Sequence, residues 1–119
     1  MHFLIHVVSG EDMPTRSALG LLIAKSALDE GHHVEVFLAG DAAALAQEGV
    51  AARTNGLGTG NAGEWLAYLK EQNVPIYVSM LSARARGIET DALVEMGFIP
   101  SLPTDLVARV AAAERVLVY

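Results

Sequence analysis

The stretch Ile76-Tyr77-Val78-Ser79-Met80-Leu81-Ser82-Ala83-Arg84-Ala85-Arg86-Gly87-Ile88 decides how this chain is read. A short run of β-branched, aromatic and apolar residues passes through Ser79 straight into helix formers that carry two arginines. Where strands and helices alternate throughout a chain, such a strand-to-helix turn is one half of the crossover connection that parallel strands need. The junction at the carboxyl end of such a strand is also where open α/β sheets bind ligands.

The same alternation continues outward. Ahead of the junction, Glu64–Gln72 reads as a helix with Trp65, Leu66 and Leu69 on one side. Ala51–Gly63 is Gly-rich without periodicity and reads as a loop, and Asp41–Ala46 as a short helix. Val34–Leu38 is a strand, and Pro14–Glu30 a helix in which Ala18, Leu19, Leu22, Ile23 and Ala27 recur at helical spacing. Asp12 is placed to cap that helix, Pro14 suits its first turn, and Gly31 ends it. His2–Val8 is nearly all apolar, as expected of a strand buried on both faces. Beyond the junction, helices are expected within Ser79–Ala85 and Thr90–Met96. A brief strand at 97–100, a helix from a Ser101 cap to Ala112, and a closing strand at Arg115–Tyr119 follow. The expectation is one domain over residues 1–119: a three-layer α/β/α fold with a five-stranded, mainly parallel sheet near 2–8, 33–38, 75–78, 97–100 and 115–118.

Composition narrows the function classes. Apolar residues make up 52 % of the 119 and charged ones 18 %, enough for a packed core and too apolar for disorder. A small domain with so few charges is expected to bury apolar surface against another subunit. A formal charge of −6 argues against nucleic acid, which requires a basic footprint. No apolar run approaches the length of a membrane span, and no basic segment followed by an apolar stretch opens the chain, so a cytoplasmic protein is expected. The chain has no cysteine, which removes disulfides, thiolate chemistry and Cys-ligated metals together.

Several motifs, in order, resemble the DsrE/DsrF-like (DsrEFH-like) family. They are Val8-Ser9-Gly10-Glu11-Asp12-Met13-Pro14-Thr15-Arg16, the run from Ala24 through Gly31-His32-His33-Val34 to Phe37-Leu38-Ala39-Gly40-Asp41, and Asn73-Val74-Pro75-Ile76-Tyr77-Val78. Ala85-Arg86-Gly87-Ile88 and Ala113-Glu114-Arg115-Val116-Leu117-Val118-Tyr119 complete the set. The resemblance covers nearly the whole length. It implies a five-stranded parallel sheet between helices and an oligomer, a trimer or a hexamer. Characterised members of that family carry sulfur as a cysteine persulfide, on a cysteine ending the third strand and in some members a second one three positions on. Those places are Ser79 and Ser82 in this sequence. A serine hydroxyl is far less acidic than a thiol and forms no persulfide, so the carrier mechanism is excluded in this chain.

Two loops are candidates for a small anionic ligand. One comprises Ser9, Gly10, Asp12 and Thr15; the other Ser79, Met80, Ser82, Arg84 and Arg86. Both are expected at one edge of the sheet, where a helix N-terminus offers free N–H groups and arginine offers a paired charge. The plainer alternative is that their hydroxyls and acids cap helices. No Gly-x-Ser-x-Gly elbow precedes Ser79, so no catalytic residue is assigned. Gly58-Thr59-Gly60-Asn61-Ala62-Gly63 fits Gly-x-Gly-x-x-Gly, but lacks a preceding strand and an acid about 20 residues on, so no cofactor is expected. His2 and His6 share a strand face and His32-His33 precede the second strand. Without a helical His signature, buried or interface roles are expected and no metal. The leading expectation is a non-catalytic, homo-oligomeric structural or binding subunit linked to sulfur metabolism. The alternative is a binder or enzyme using the two loops.

Overall fold

Near-continuous apolar strands separated by helical segments fold as the alternation dictates, and a computed structural model describes all residues 1–119. In chain order the elements are β1 (His2–Val7), α1 (Pro14–Asp29), β2 (His33–Leu38), β3 (Asn55–Gly56) and β4 (Gly60–Asn61). They continue with α2 (Ala62–Glu71), β5 (Ile76–Ser79), α3 (Met80–Ala85), α4 (Thr90–Glu95), β6 (Ile99–Ser101), α5 (Pro103–Ala112) and β7 (Arg115–Val118). Five of the strands form one parallel sheet in the order β6-β5-β2-β1-β7. The expected α/β fold with its five strands is therefore present.

Strand order and crossover handedness fix which face each helix covers. The steps β1→β2, β2→β5 and β5→β6 all move one way across the sheet, so right-handed crossovers put their helices on one face. Only β6→β7 moves back, and it brings α5 to the other face. The first face holds the main core. Ile5, Val7, Val36, Leu38, Ile76 and Val78 point into it, against Leu21 of α1, Leu66 and Leu69 of α2, Ala83 of α3 and Leu93 of α4. The second face buries Leu4 and Phe37, yet no residue of α5 is itself buried.

Several local expectations are corrected. Asp12 does not cap α1: Met13 holds the cap position, and the Asp12 carboxylate turns back to accept the Gly10 N–H (3.0 Å). Ser101 does not cap α5. It is the last residue of β6, Leu102 holds the cap position, and the Asp105 carboxylate accepts the Leu102 N–H (2.7 Å). The fourth strand of the sheet therefore lies at Ile99–Ser101 rather than 97–100. Within the Gly-rich loop, β3 and β4 form a small hairpin that the missing periodicity concealed. The short helix after β2 is a 3-10 helix, Gly40–Ala46.

Candidate functional site

The carboxyl ends of β1, β2 and β5 bring the two candidate loops together through the turn at Gly40-Asp41. Gly10 and Asp41 touch so closely that a Cβ at position 10 would lie on the Asp41 carbonyl. Any side chain at Gly10 would therefore separate the loops.

Ser79 ends β5, where the sequence placed it. It is buried, and its hydroxyl accepts the Ser82 N–H (3.2 Å), capping α3. The Ser82 hydroxyl accepts the Gly40 N–H (2.9 Å) and so ties α3 to the turn after β2. Arg86 donates to Asp41 Oδ1 (2.6 Å) and to the Ser82 carbonyl (3.0 Å). Arg84 is exposed and Met80 half-buried on the same short helix. Every hydroxyl and the inner arginine of this loop are thus engaged within the fold.

In the first loop Thr15 is engaged in the same way. Thr15 Oγ1 accepts the Leu57 N–H (3.0 Å), and the Thr15 carbonyl accepts the Thr59 hydroxyl (3.0 Å), which anchors the hairpin loop to the start of α1. Ser9 is buried beside Gly10. Glu11 pairs with Arg53 through two hydrogen bonds (3.0 and 3.2 Å), and the bonded guanidinium holds the Glu11 carboxyl below its usual range. Where the two loops meet, a depression of about 170 Å³ is lined by Glu11, Asp12, Asp41, Ala44 and Arg86. Its carboxylates outnumber its one guanidinium. A larger cleft of about 520 Å³ opens beside it between the start of α1 and Tyr119, with Asp12, Thr15 and Arg16 among its walls.

The Gly58–Gly63 motif is the turn of the β3–β4 hairpin followed by the first turn of α2. Gly60 takes φ +82° against the Trp65 ring, and Asn61 caps α2 by accepting the Glu64 N–H (3.0 Å). The strand before it is two residues long and antiparallel, so the strand–turn–helix context of a dinucleotide site is missing.

On the sheet face that α5 covers, the fold gathers His2 and His33, for which the sequence reading expected buried or interface roles and no metal, in register on adjacent strands. With them lies Glu35, which that reading did not single out, two residues along from His33. The available signal was a carboxylate set between two valines in an otherwise apolar strand.

A five-stranded parallel sheet with helices on both faces, and loops gathered at the carboxyl ends of its strands where such sheets bind ligands, defines a class of small α/β domains. Within that class, the DsrE/DsrF-like family model matches residues 1–119, and the chain belongs to that family. It is similar in structure to the ychN protein from E. coli, at 23 % identity and a TM-score of 0.70, over 100 % of both chains. It is also similar to BT1422, a conserved protein of unknown function from Bacteroides thetaiotaomicron, at 11 % identity and a TM-score of 0.72, over 99 % of this chain and 94 % of that one. No curated protein matches the sequence. The family is linked to sulfur metabolism. No helix is long and apolar enough to cross a membrane.

Proposed function

We propose that this chain is a cysteine-free, homo-oligomeric subunit of its family that acts by assembly and binding and does not itself carry sulfur. One observation carries the reading. The position that the family resemblance gives to a reactive cysteine is Ser79, and its hydroxyl is spent on capping α3 while Ser82 bridges to Gly40. What is a reactive edge in a sulfur carrier is here a set of structural hydrogen bonds.

Assembly is supported by the surface. Val107 is 68 % exposed, Val118 60 % and Ile99 42 %, all on α5 or the strands at the two edges of the sheet. This is the apolar area that a second copy of the chain would cover, and family members are often oligomers. A trimer or hexamer in the cytoplasm, with no nucleic-acid or membrane partner, completes the reading. Sedimentation of the untagged protein at micromolar concentration should show a trimer or hexamer, and a monomer of 12.6 kDa would reject the proposal. Incubation with a persulfide donor should leave the intact mass unchanged.

The alternative, a small anionic ligand held by Ser9–Thr15 and Ser79–Arg86, is favoured by one observation at the first loop alone, the 520 Å³ cleft walled by Asp12, Thr15 and the adjacent Arg16, which no residue of Ser79–Arg86 lines. The surplus of carboxylates where the loops meet opposes it. Titration with inorganic phosphate, with Arg16→Ala as control, separates the two readings. Saturable binding lost in that variant would establish the alternative.

A further inference from the structure

We propose that His2, His33 and Glu35 form a binding site for a divalent transition-metal ion, with Zn²⁺ the best fit. The site lies on the sheet face that α5 only partly covers, away from the two loops, and is independent of the assembly reading.

The sheet register builds it. His2 on β1 and His33 on β2 are paired at the same level of adjacent parallel strands, and Glu35 follows His33 by two residues. All three side chains therefore rise from one face. His2 Nε2 lies 3.1 Å from Glu35 Oε1, His33 Nε2 lies 3.8 Å from the same oxygen, and the three donor atoms are all within 4.8 Å of one another. Ligands on a tetrahedral zinc, each about 2.0–2.1 Å from the metal, sit about 3.3 Å apart. The two imidazole-to-carboxylate separations, 3.1 and 3.8 Å, already bracket that spacing. Two imidazoles and a carboxylate are a donor set that zinc uses where a fourth position stays open. Here the open side is that of His33, whose side chain is 64 % exposed.

A second observation points to a cation. The Glu35 side chain is 6 % exposed, and its Oε2 is buried with no hydrogen-bond partner. A buried carboxylate normally fills its acceptor sites or coordinates a metal. The nearest fixed charge, Arg109, does not fill this role. Its Nη1 lies 3.6 Å from Oε1, beyond hydrogen-bonding distance, and donates instead to the Tyr77 hydroxyl (3.2 Å). A metal would bind the carboxylate directly, and Arg109 would oppose it by charge.

The test is calorimetric titration of chelator-stripped, untagged protein with Zn²⁺. One zinc per chain is expected. His33→Ala is the decisive variant, because an exposed side chain can be removed without disturbing the core. It should weaken binding by more than about a hundredfold, since even outer partners of a metal site are worth about ten- to a hundredfold. Glu35→Gln should do the same, His32→Ala should change nothing, and Arg109→Ala should tighten binding. Absence of binding, binding that survives His33→Ala, or one zinc shared among several chains would each overturn the proposal.

Discussion

The two faces of the sheet are made by alternate residues of the same strands, yet they are finished differently. One face packs Val36, Leu38, Ile76 and Val78 against four helices in a dry core. The other carries His2, His6, Glu35 and Tyr77 beside Leu4 and Phe37, under one helix that buries none of its own residues. Handedness is the cause, since a single return crossover supplies a single helix. The difference separates two tasks. The packed face holds the fold together, and the thinly covered face keeps polar groups at the sheet under a helix whose own residues stay unburied.

The strongest way to break this comparison is to substitute one side chain on each face. Leu69 of α2 is fully buried in the main core, so Leu69→Ala should cost about 2–5 kcal/mol, as buried leucines do when a cavity is left. Val107 of α5 is exposed, so Val107→Asp should leave the stability of the protomer within about 0.5 kcal/mol. The charge it adds should instead weaken assembly. Denaturant midpoints at several protein concentrations separate the two effects, because only association depends on concentration. Equal losses of protomer stability would show that α5 is part of the core and that the faces do not differ in kind.

A smaller effect is expected at the edge of the sheet. Ser79→Ala removes the cap of α3 and should cost about 1 kcal/mol, within the usual 0.5–2 for such caps. Chemical denaturation measures it directly. A neutral substitution would mean that the hydroxyl is dispensable to the fold, and the structural reading of this edge would lose its main support.

What the sequence disclosed follows the range of the interactions involved. The central strands are buried and read as apolar runs, and the two exposed edge strands, at Ile99–Ser101 and Arg115–Val118, also carry short apolar runs, so all five were found. Ser79 was placed correctly because strand end and helix start are adjacent in the chain. The partners of the site residues were not legible. Arg86 meets Asp41 across 45 positions, and Thr15 meets Leu57 across 42, through contacts that exist only once β1, β2 and β5 are side by side. Asp12 and Ser101 misled for a local reason: a good capping residue sits one position away from the true cap in each case, and backbone geometry chose the neighbour. Glu35 was visible as an acid in an apolar strand, but its meaning required the register that sets His2 beside His33.

The smallest expected effect sharpens the comparison from the polar side. His6 is half-buried on the thin face, edge-on to Phe37 at 5.9 Å, and its Nε2 is buried without a partner. Its neighbours in register are Phe37 on β2 and Val118 on β7, so the sheet offers it no charge on either side. Burial therefore pushes its pKa below the ordinary 6.5. The unfolded chain protonates this group near 6.5, while the folded chain resists until a lower pH. Below 6.5 the unfolded state thus binds more protons, and stability falls as pH drops through that value toward the folded pKa; above it the contribution is fully present. His6→Leu removes the titration and should flatten stability across that window relative to the unsubstituted protein. Denaturant midpoints of both, taken with a chelator present from about pH 7.5 to 5, isolate the contribution. Carboxylates elsewhere titrate identically in the two proteins and cancel in the difference. Parallel curves would mean that His6 is as well solvated in the folded chain as in the unfolded one, and that water reaches the thin face more deeply than the packing of Leu4 and Phe37 implies.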